Sequence, residues 1–352
     1  EVGLFLSGGV DSGALLGLMR DAGQRDIRAI TLAFDEFRGT EDDEAPLAAQ
    51  VAKRYGAEHI VRRVDRREFD ADLPAILDAM DQPSIDGINT WFVAKAAKEA
   101  GLKVALSGIG GDELLAGYST FADLPRWRRR FGSFAAIPGI GRLARYAIPA
   151  LAPGFAKARP KALGMLEYAH RRPGAYLLRR GLFLPHELPG IMGPDMAREG
   201  LRRLKPLRRF AANLTPDPGS DIGRVCALES VHYMRNQLLR DADWAGMAHG
   251  IEIRVPLVDV EVLKSVANAF PKLTRAAGKT ALADAPTTPL PRDMLQKAKT
   301  GFLVPTRTWT QAHAPDVVIV APEEPAEPEG ITSRRWSRLV LGKMGNLEAR
   351  AA

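Results

Sequence analysis

Over the first 120 residues the apolar positions alternate between two rhythms. Short, mainly apolar runs at Val2 to Leu6, Ile27 to Phe34, His59 to Val64 and Leu102 to Leu106 have the length of strands. Between them the apolar positions recur at helical spacing. Ser12 to Ala22 carries Leu15, Leu16 and Met19 on one face, and Asp42 to Tyr55 carries Leu47, Val51 and Tyr55, closing at Gly56. Phe69 to Met80 and Thr90 to Ala100, the latter ended by Gly101, complete the helices. Strands alternating in this way with amphipathic helices predict a parallel sheet covered on both faces. From about Pro125 to Pro218 that alternation gives way to helices without clear boundaries. Ile222 to Phe270 reads as two helices around an acidic loop. The expected fold class is therefore α/β, a parallel sheet with helices on both faces, followed by a mostly helical C-terminal portion. Four segments are expected: a core over 1–120, a basic helical insert over 121–220, a helical portion over 221–310 that completes a site, and a tail over 311–352. The run Glu323-Glu324-Pro325 to Glu327-Pro328-Glu329 in that tail predicts a flexible connector. No internal repeat is visible.

Composition narrows the class. With 46% hydrophobic and 26% charged residues the chain is neither disordered nor fibrous. No stretch of about 18 uninterrupted apolar residues occurs, so a membrane-spanning helix is not expected. The most apolar region, Phe134 to Leu151, is broken by Pro138, Gly139, Arg142, Arg145 and Pro149. A single cysteine, Cys226, rules out an internal disulfide and a cysteine-rich metal site, and points to a reducing, cytoplasmic setting. No signal peptide is visible, and the chain opens on Glu1.

The positive charge is local. Phe121 to Thr215 holds 19 Lys and Arg against 5 Asp and Glu, whereas the whole chain carries only +7, so the remainder is net negative. Few aromatic residues interleave with the basic runs and no nucleic-acid module accompanies them. A solvated or partner-docking face is therefore preferred to a nucleic-acid groove.

The strongest chemical signal is Ser7-Gly8-Gly9-Val10-Asp11-Ser12 at a strand-to-helix junction. Glycines let backbone N–H groups approach a phosphate closely, and a helix start adds partial positive charge. Ser7 and Ser12 can donate hydroxyl hydrogen bonds to phosphate oxygens. Asp11 would repel phosphate directly, so its natural task is to hold a Mg²⁺ that bridges phosphate oxygens. No lysine followed by serine or threonine accompanies the loop, so it is not a Walker motif. A second glycine-rich turn, Ser107-Gly108-Ile109-Gly110-Gly111-Asp112-Glu113, follows the strand ending at Leu106. In open parallel sheets ligands bind outside the carboxyl ends of strands, where both turns fall.

Four motifs in order make the chain resemble the synthetase domain of the glutamine-hydrolysing asparagine synthetases, within the ATP pyrophosphatase (adenine nucleotide alpha hydrolase-like) superfamily. These are the Ser7–Ser12 loop; Leu106 to Tyr118; Asn236 to Asp243 with Met247 to Asp259; and Lys299-Thr300-Gly301-Phe302 with Pro305 and Trp309 beyond. The resemblance implies that ATP binds through Leu6, Ser7, Gly8, Gly9, Asp11, Ser12, Leu32, Ser107 and Gly108. It places Mg²⁺ between Asp11 and Asp112, and makes Lys299 the group that stabilises the charge of the reacting phosphate. The implied reaction is adenylation of a carboxylate, aspartate by default, with loss of pyrophosphate. Ammonia from glutamine then displaces AMP to form the amide. Glu252 is a candidate acid/base group near the amine. Glu113 is expected to orient its loop, and Asp86 and Asn89 to line the acceptor pocket. Arg240, Asp241 and Asp243 are expected to form a buried salt-bridge cluster, and Arg254 with Asp259 likewise. His249, His232 and Cys226 have no spaced partners that suggest a metal or nucleophile site.

Two departures from the family pattern bear on function. Ile109 stands where asparagine synthetases carry a glutamate, so the same adenylation chemistry on a peptide, lactam or sugar-acid substrate is the alternative reading. An RNA-modifying relative with the same phosphate loop is a more distant one. The glutaminase half, whose nucleophile is an N-terminal cysteine, has no counterpart here. Either it has been cut away or is carried elsewhere, or the chain takes free ammonia or a different amine; the abrupt start favours truncation. The expected partners are a small carboxylate and ammonia from such a glutaminase, with a homodimer left open.

Overall fold

The computed structural model describes residues 2–133, 137, 139–154, 159–269, 273–296, 304–305, 309 and 332–351. The chain divides into two units, Glu1–Tyr118 with Glu229–Trp309 and Ser119–Leu228 with Thr310–Ala352.

The first unit is built on five parallel strands: β1 (Val2–Phe5), β2 (Arg28–Phe34), β3 (Glu58–Val64), β4 (Val104–Leu106) and β5 (Glu252–Arg254). Their spatial order is β3-β2-β1-β4-β5. The intervening helices are α1 (Val10–Asp21), α2 (Ala45–Arg54), α3 (Arg66–Ala79), α4 (Ile88–Glu99) and the single turn α5 (Gly111–Leu114). The chain first steps outward from β1 to β3 and then returns to the other side of β1 as β4. Right-handed crossovers running in opposite directions must place their helices on opposite faces. The packing agrees. Leu4, Leu6 and Ala29 join α1 and α2 through Ala14, Leu16, Ala48 and Val51. Phe34, which points the other way along β2, meets Trp309, and Trp309 stacks on Phe69 of α3 and meets Phe92 of α4 edge-on.

Helix boundaries follow local chemistry. Asp65 Oδ1 accepts the backbone N–H of Glu68 at 2.9 Å, so α3 starts at Arg66, ahead of its first apolar residue Phe69. Pro46 sits in the first turn of α2, where its missing N–H costs nothing.

The segment after Ile222 departs from the expected two helices around a loop. Within the first unit, a π-helical stretch, Glu229–Leu238, leads into a helix over Leu239–Ala248. What looked like acidic loop is strand β5, in register with β4 from Val104↔Glu252 to Leu106↔Arg254. Three residues with charged ends, Glu-Ile-Arg, carry too little apolar pattern to announce a strand. Asp259 caps the following helix, Val260–Ala267, and Arg254 is exposed and paired with Glu252, so these two form no buried cluster. A further helix, Arg275–Asp284, packs Leu282 and Ala283 into the core that α1 and β1 share.

The second unit is helical and holds its own core of Tyr168, Ala169, Leu177, Leu178 and Leu184, with Trp127, Phe131 and Phe210 against it. Part of its positive charge is met internally. Asp221 receives Arg128, Arg172 and Arg224, and Arg334, on the helix Thr332–Ala351, pairs with Glu187 at 2.7 Å. The expected connector over 321–330 and the Lys299–Phe302 motif lie outside the described residues. Among the described residues no helix is long and apolar enough to cross a membrane.

Candidate functional site

The reversal of strand order falls between β1 and β4, so a crevice opens at their carboxyl ends. Each of these strands runs directly into one of the two glycine-rich turns. The first turn is braced from within. Ser7 N–H donates to Ser12 Oγ at 3.0 Å, the two serine hydroxyls lie 2.9 Å apart, and Gly9 N–H donates to Ser7 Oγ at 3.1 Å. The helix that follows, α1, has Gly9 at its N-cap and no side chain capping its first N–H groups. Those donors and the positive end of the helix therefore lie at the crevice without a side-chain cap, with Asp11 the acidic residue of the first turn.

The second turn is fixed by its own carboxylate. Glu113 is buried, and its Oε2 accepts Gly110 N–H at 3.1 Å while Oε1 accepts the Tyr118 hydroxyl at 2.7 Å. Burial pushes the Glu113 carboxyl up from its ordinary range, and the bond from Tyr118 works against that shift. Glu113 thus braces the turn while its neighbour Asp112 faces the crevice.

Asp11 and Asp112 converge on a single cation. The ammonium of Lys279, from the Arg275–Asp284 helix, contacts Asp11 Oδ1 and lies 2.6 Å from Asp112 Oδ1. All three side chains are less than one-fifth exposed. The close approach depends on missing side chains. A Cβ at Gly111 would collide with the Asp11 carboxylate, and one at Gly117 with Asp112 Oδ1 and with the stem of Lys279. At Gly278 a Cβ would lie 2.5 Å from the Leu115 carbonyl oxygen, so that glycine lets the lysine-bearing helix reach the second turn.

These residues line one cavity of about 860 Å³, large enough for a nucleotide with a second small molecule beside it. Leu6, Ser7, Gly8, Gly9, Asp11, Ser12, Leu32, Ser107, Gly108 and Asp112 all border it, as do Asp86, Asn89 and Ile109. Glu252 does not: it stands exposed beside Arg254, 2.8 Å away. Lys299 lies outside the described residues. Among the described residues no group of three or more His, Cys, Asp or Glu side chains is arranged to hold a metal. The pair Asp11 and Asp112 would need the rest of a cation's oxygens from a bound phosphate or water.

Two cavity residues carry roles that their sequence context did not suggest. Lys279 sits in Ala276-Ala277-Gly278-Lys279-Thr280, which has no motif of its own, and only the tertiary fold brings it to Asp11. Asp241 was expected in a buried salt-bridge cluster with Arg240 and Asp243. Instead Arg240 pairs with Asp81 near the surface and Asp243 is exposed. Asp241 is 2% exposed, and its donors are the neutral groups Ser84 Oγ, Gln237 Nε2 at 2.7 Å and Trp244 Nε1 at 2.9 Å. Burial pushes its carboxyl up to about 6, those hydrogen bonds oppose the shift, and the like charge of Asp86 adds to it. Asp86 itself accepts the Tyr233 hydroxyl at 2.8 Å.

The asparagine synthase family matches residues 1–334, nearly the full length of the chain. The chain belongs to the asparagine synthase family. It is 33% identical over 319 residues to a protein of Mycobacterium tuberculosis (strain H37Rv) provisionally named as a glutamine-hydrolysing asparagine synthetase, covering 88% of this chain and 46% of that one. It is 28% identical over 325 residues to asparagine synthetase (glutamine-hydrolysing) 1 of Bacillus subtilis (strain 168), covering 88% and 47%. A shorter match, 28% over 146 residues, joins it to a Penicillium rubens protein named amidase chyE, covering 35% of this chain and 20% of that one. The chain spans about half the length of the first two relatives. In this family setting the two turns and Ile109 are the parts of the cavity on which a functional reading turns.

Proposed function

We propose that this chain is the synthetase part of an ATP-dependent amide-forming ligase, which adenylates a carboxylate and then amidates it. The observation that carries the reading is the convergence of both glycine-rich turns on one cation held between Asp11 and Asp112. A triphosphate laid over the Ser7–Ser12 turn would meet the uncapped N–H groups of α1, and the adenosine would lie against Leu6, Leu32, Ser107 and Gly108. Asp11 and Asp112 fit a Mg²⁺: both are hard oxygen donors, and Lys279 stands in for a cation that touches both. When bound, the ion would neutralise charge on the phosphate oxygens.

In the first step a carboxylate oxygen of the acceptor attacks the α-phosphorus. The bond from that phosphorus to the bridging oxygen breaks, and pyrophosphate leaves. In the second step ammonia attacks the acyl carbon, AMP leaves, and the nitrogen gives up its extra proton. Neither step needs a covalent bond to the protein, so the chain contributes positioning and charge stabilisation. Lys279 places a positive charge beside the phosphates, and Lys299 is assigned the same task by its motif. Glu113 keeps the second turn in shape. Aspartate is the default acceptor and glutamine, through a glutaminase part, the default source of ammonia.

The test is incubation with ATP, Mg²⁺, ammonium and a carboxylate panel headed by aspartate. Release of both AMP and pyrophosphate supports the reading, and release of neither with any carboxylate overturns it. A second reading keeps the adenylation and changes the acceptor. It is favoured by Ile109, which can neither take up a proton nor hold a charge, and by the carboxylates Asp86 and Asp241 that border the same cavity. Mass spectrometry of the products across the panel separates the two.

A further inference from the structure

Lys279 holds a position that no other described cation shares, between two carboxylates that the proposed function reserves for a divalent ion. Its ammonium bonds to the Oδ1 atoms of Asp11 and Asp112, and no third acid among the described residues takes part. The lysine is placed with precision. Gly278 lets its helix lie against Leu115, and Gly117 leaves room for its stem beside Asp112. Leu282 and Ala283 anchor the same helix in the core.

We propose that Lys279 is an internal counter-ion that keeps the free protein from taking up a divalent cation until a triphosphate is present. This rests on the reading of the cavity as an ATP site. One ammonium leaves the aspartate pair with a single net negative charge, and occupies the space where both Oδ1 atoms can be reached at once. A divalent ion arriving alone must either expel the ammonium, leaving a half-buried lysine without its partners, or sit beside it against like-charge repulsion. A triphosphate removes the conflict, because its oxygens give the ammonium new acceptors of the same charge as those it gives up. The lysine then swings from carboxylate to phosphate and vacates the place between the aspartates. Metal and nucleotide are thereby coupled: each makes room for the other.

The experiment titrates the full chain with Mn²⁺ in the absence of nucleotide, counting free ion by electron paramagnetic resonance and following melting temperature. Wild type is compared with Lys279→Met, Lys279→Gln and Lys279→Arg. The expected result is Mn²⁺ binding at least tenfold tighter in the Met and Gln variants, with a rise in their melting temperature on Mn²⁺ alone, while Lys279→Arg behaves as wild type. A neutral variant that folds only when Mn²⁺ is supplied supports the proposal in the same way. Met and Gln variants that fold and bind Mn²⁺ no more tightly than wild type overturn it. So does failure of both to fold with and without Mn²⁺, which assigns Lys279 a purely structural role. ATP binding by the wild type is measured separately by calorimetry. Its absence would remove the nucleotide reading, and the Mn²⁺ comparison would still report on the lysine.

Discussion

Gly117 lies so close to Asp112 that a single carbon added at the glycine would occupy the place of the carboxylate oxygen, and would press on the stem of Lys279 as well. The smallest substitution therefore tests the charge centre without removing any of its charges. Gly117→Ala is expected to lower pyrophosphate release at least tenfold while the protein stays folded. An unchanged rate, measured beside an unchanged circular dichroism spectrum, would show that the position of Asp112 is not critical.

Removing either aspartate charge should act more strongly. Asp11→Asn and Asp112→Asn are each expected to reduce adenylation by about 100-fold or more, the usual effect of losing one preorganised charge contact in a reacting site. In both variants Lys279 keeps one carboxylate partner, so the melting temperature should move little. Pyrophosphate release and differential scanning calorimetry together would separate the two effects.

The carboxyl of Asp241 predicts a pH signature. Its folded-state value, about 6, is above that of an unfolded aspartate, so folding favours the protonated form. Burial of the charged form then costs stability above pH 6, at most about 3 kcal/mol for a shift of this size, and the cost vanishes as the pH falls from 6 towards 4. Asp241→Asn removes that charge but loses an acceptor for Gln237. The variant should therefore gain on wild type as pH rises from 4.5 to 7.5. Urea unfolding at several pH values measures the difference, and a difference that is flat with pH would contradict the assignment.

Trp309 offers a stability test. It is fully buried, stacks on Phe69 with ring centroids 5.1 Å apart, and donates its indole N–H to Glu36. Trp309→Ala is expected to cost about 3–5 kcal/mol and Trp309→Phe clearly less, since phenylalanine keeps most of the contact. Denaturant midpoints of the two variants provide the check.

The comparison of sequence with structure sorts by the range of the interaction. Strands β1 to β4 and their helices are legible because each strand sits in a short, mainly apolar run that alternates with a helix of its own period. The two glycine-rich turns were legible because their chemistry is local, with strand, turn and helix start all inside a dozen residues. Strand β5 is not, because Glu-Ile-Arg carries one apolar residue where β4 carries Val-Ala-Leu, and it takes its conformation from pairing with β4. Lys279 was hidden for a related reason: only the docking of its helix gives it meaning, and nothing adjacent marks it. The setting of Asp241 is not legible because its charged neighbours in sequence, Arg240 and Asp243, point to an ion-pair cluster. A helical spacing turns those neighbours to the outside and leaves Asp241 facing Ser84 and Trp244.

The path of the chain through the sheet also has a bearing on biosynthesis. A ribosome delivers Asp11 first, then Asp112, and Lys279 only after both glycine-rich turns and all five strands. Until then the two carboxylates lack the ammonium that bridges them in the fold. Translation through Lys279 supplies the compensating charge, so the crevice is completed after the sheet that frames it.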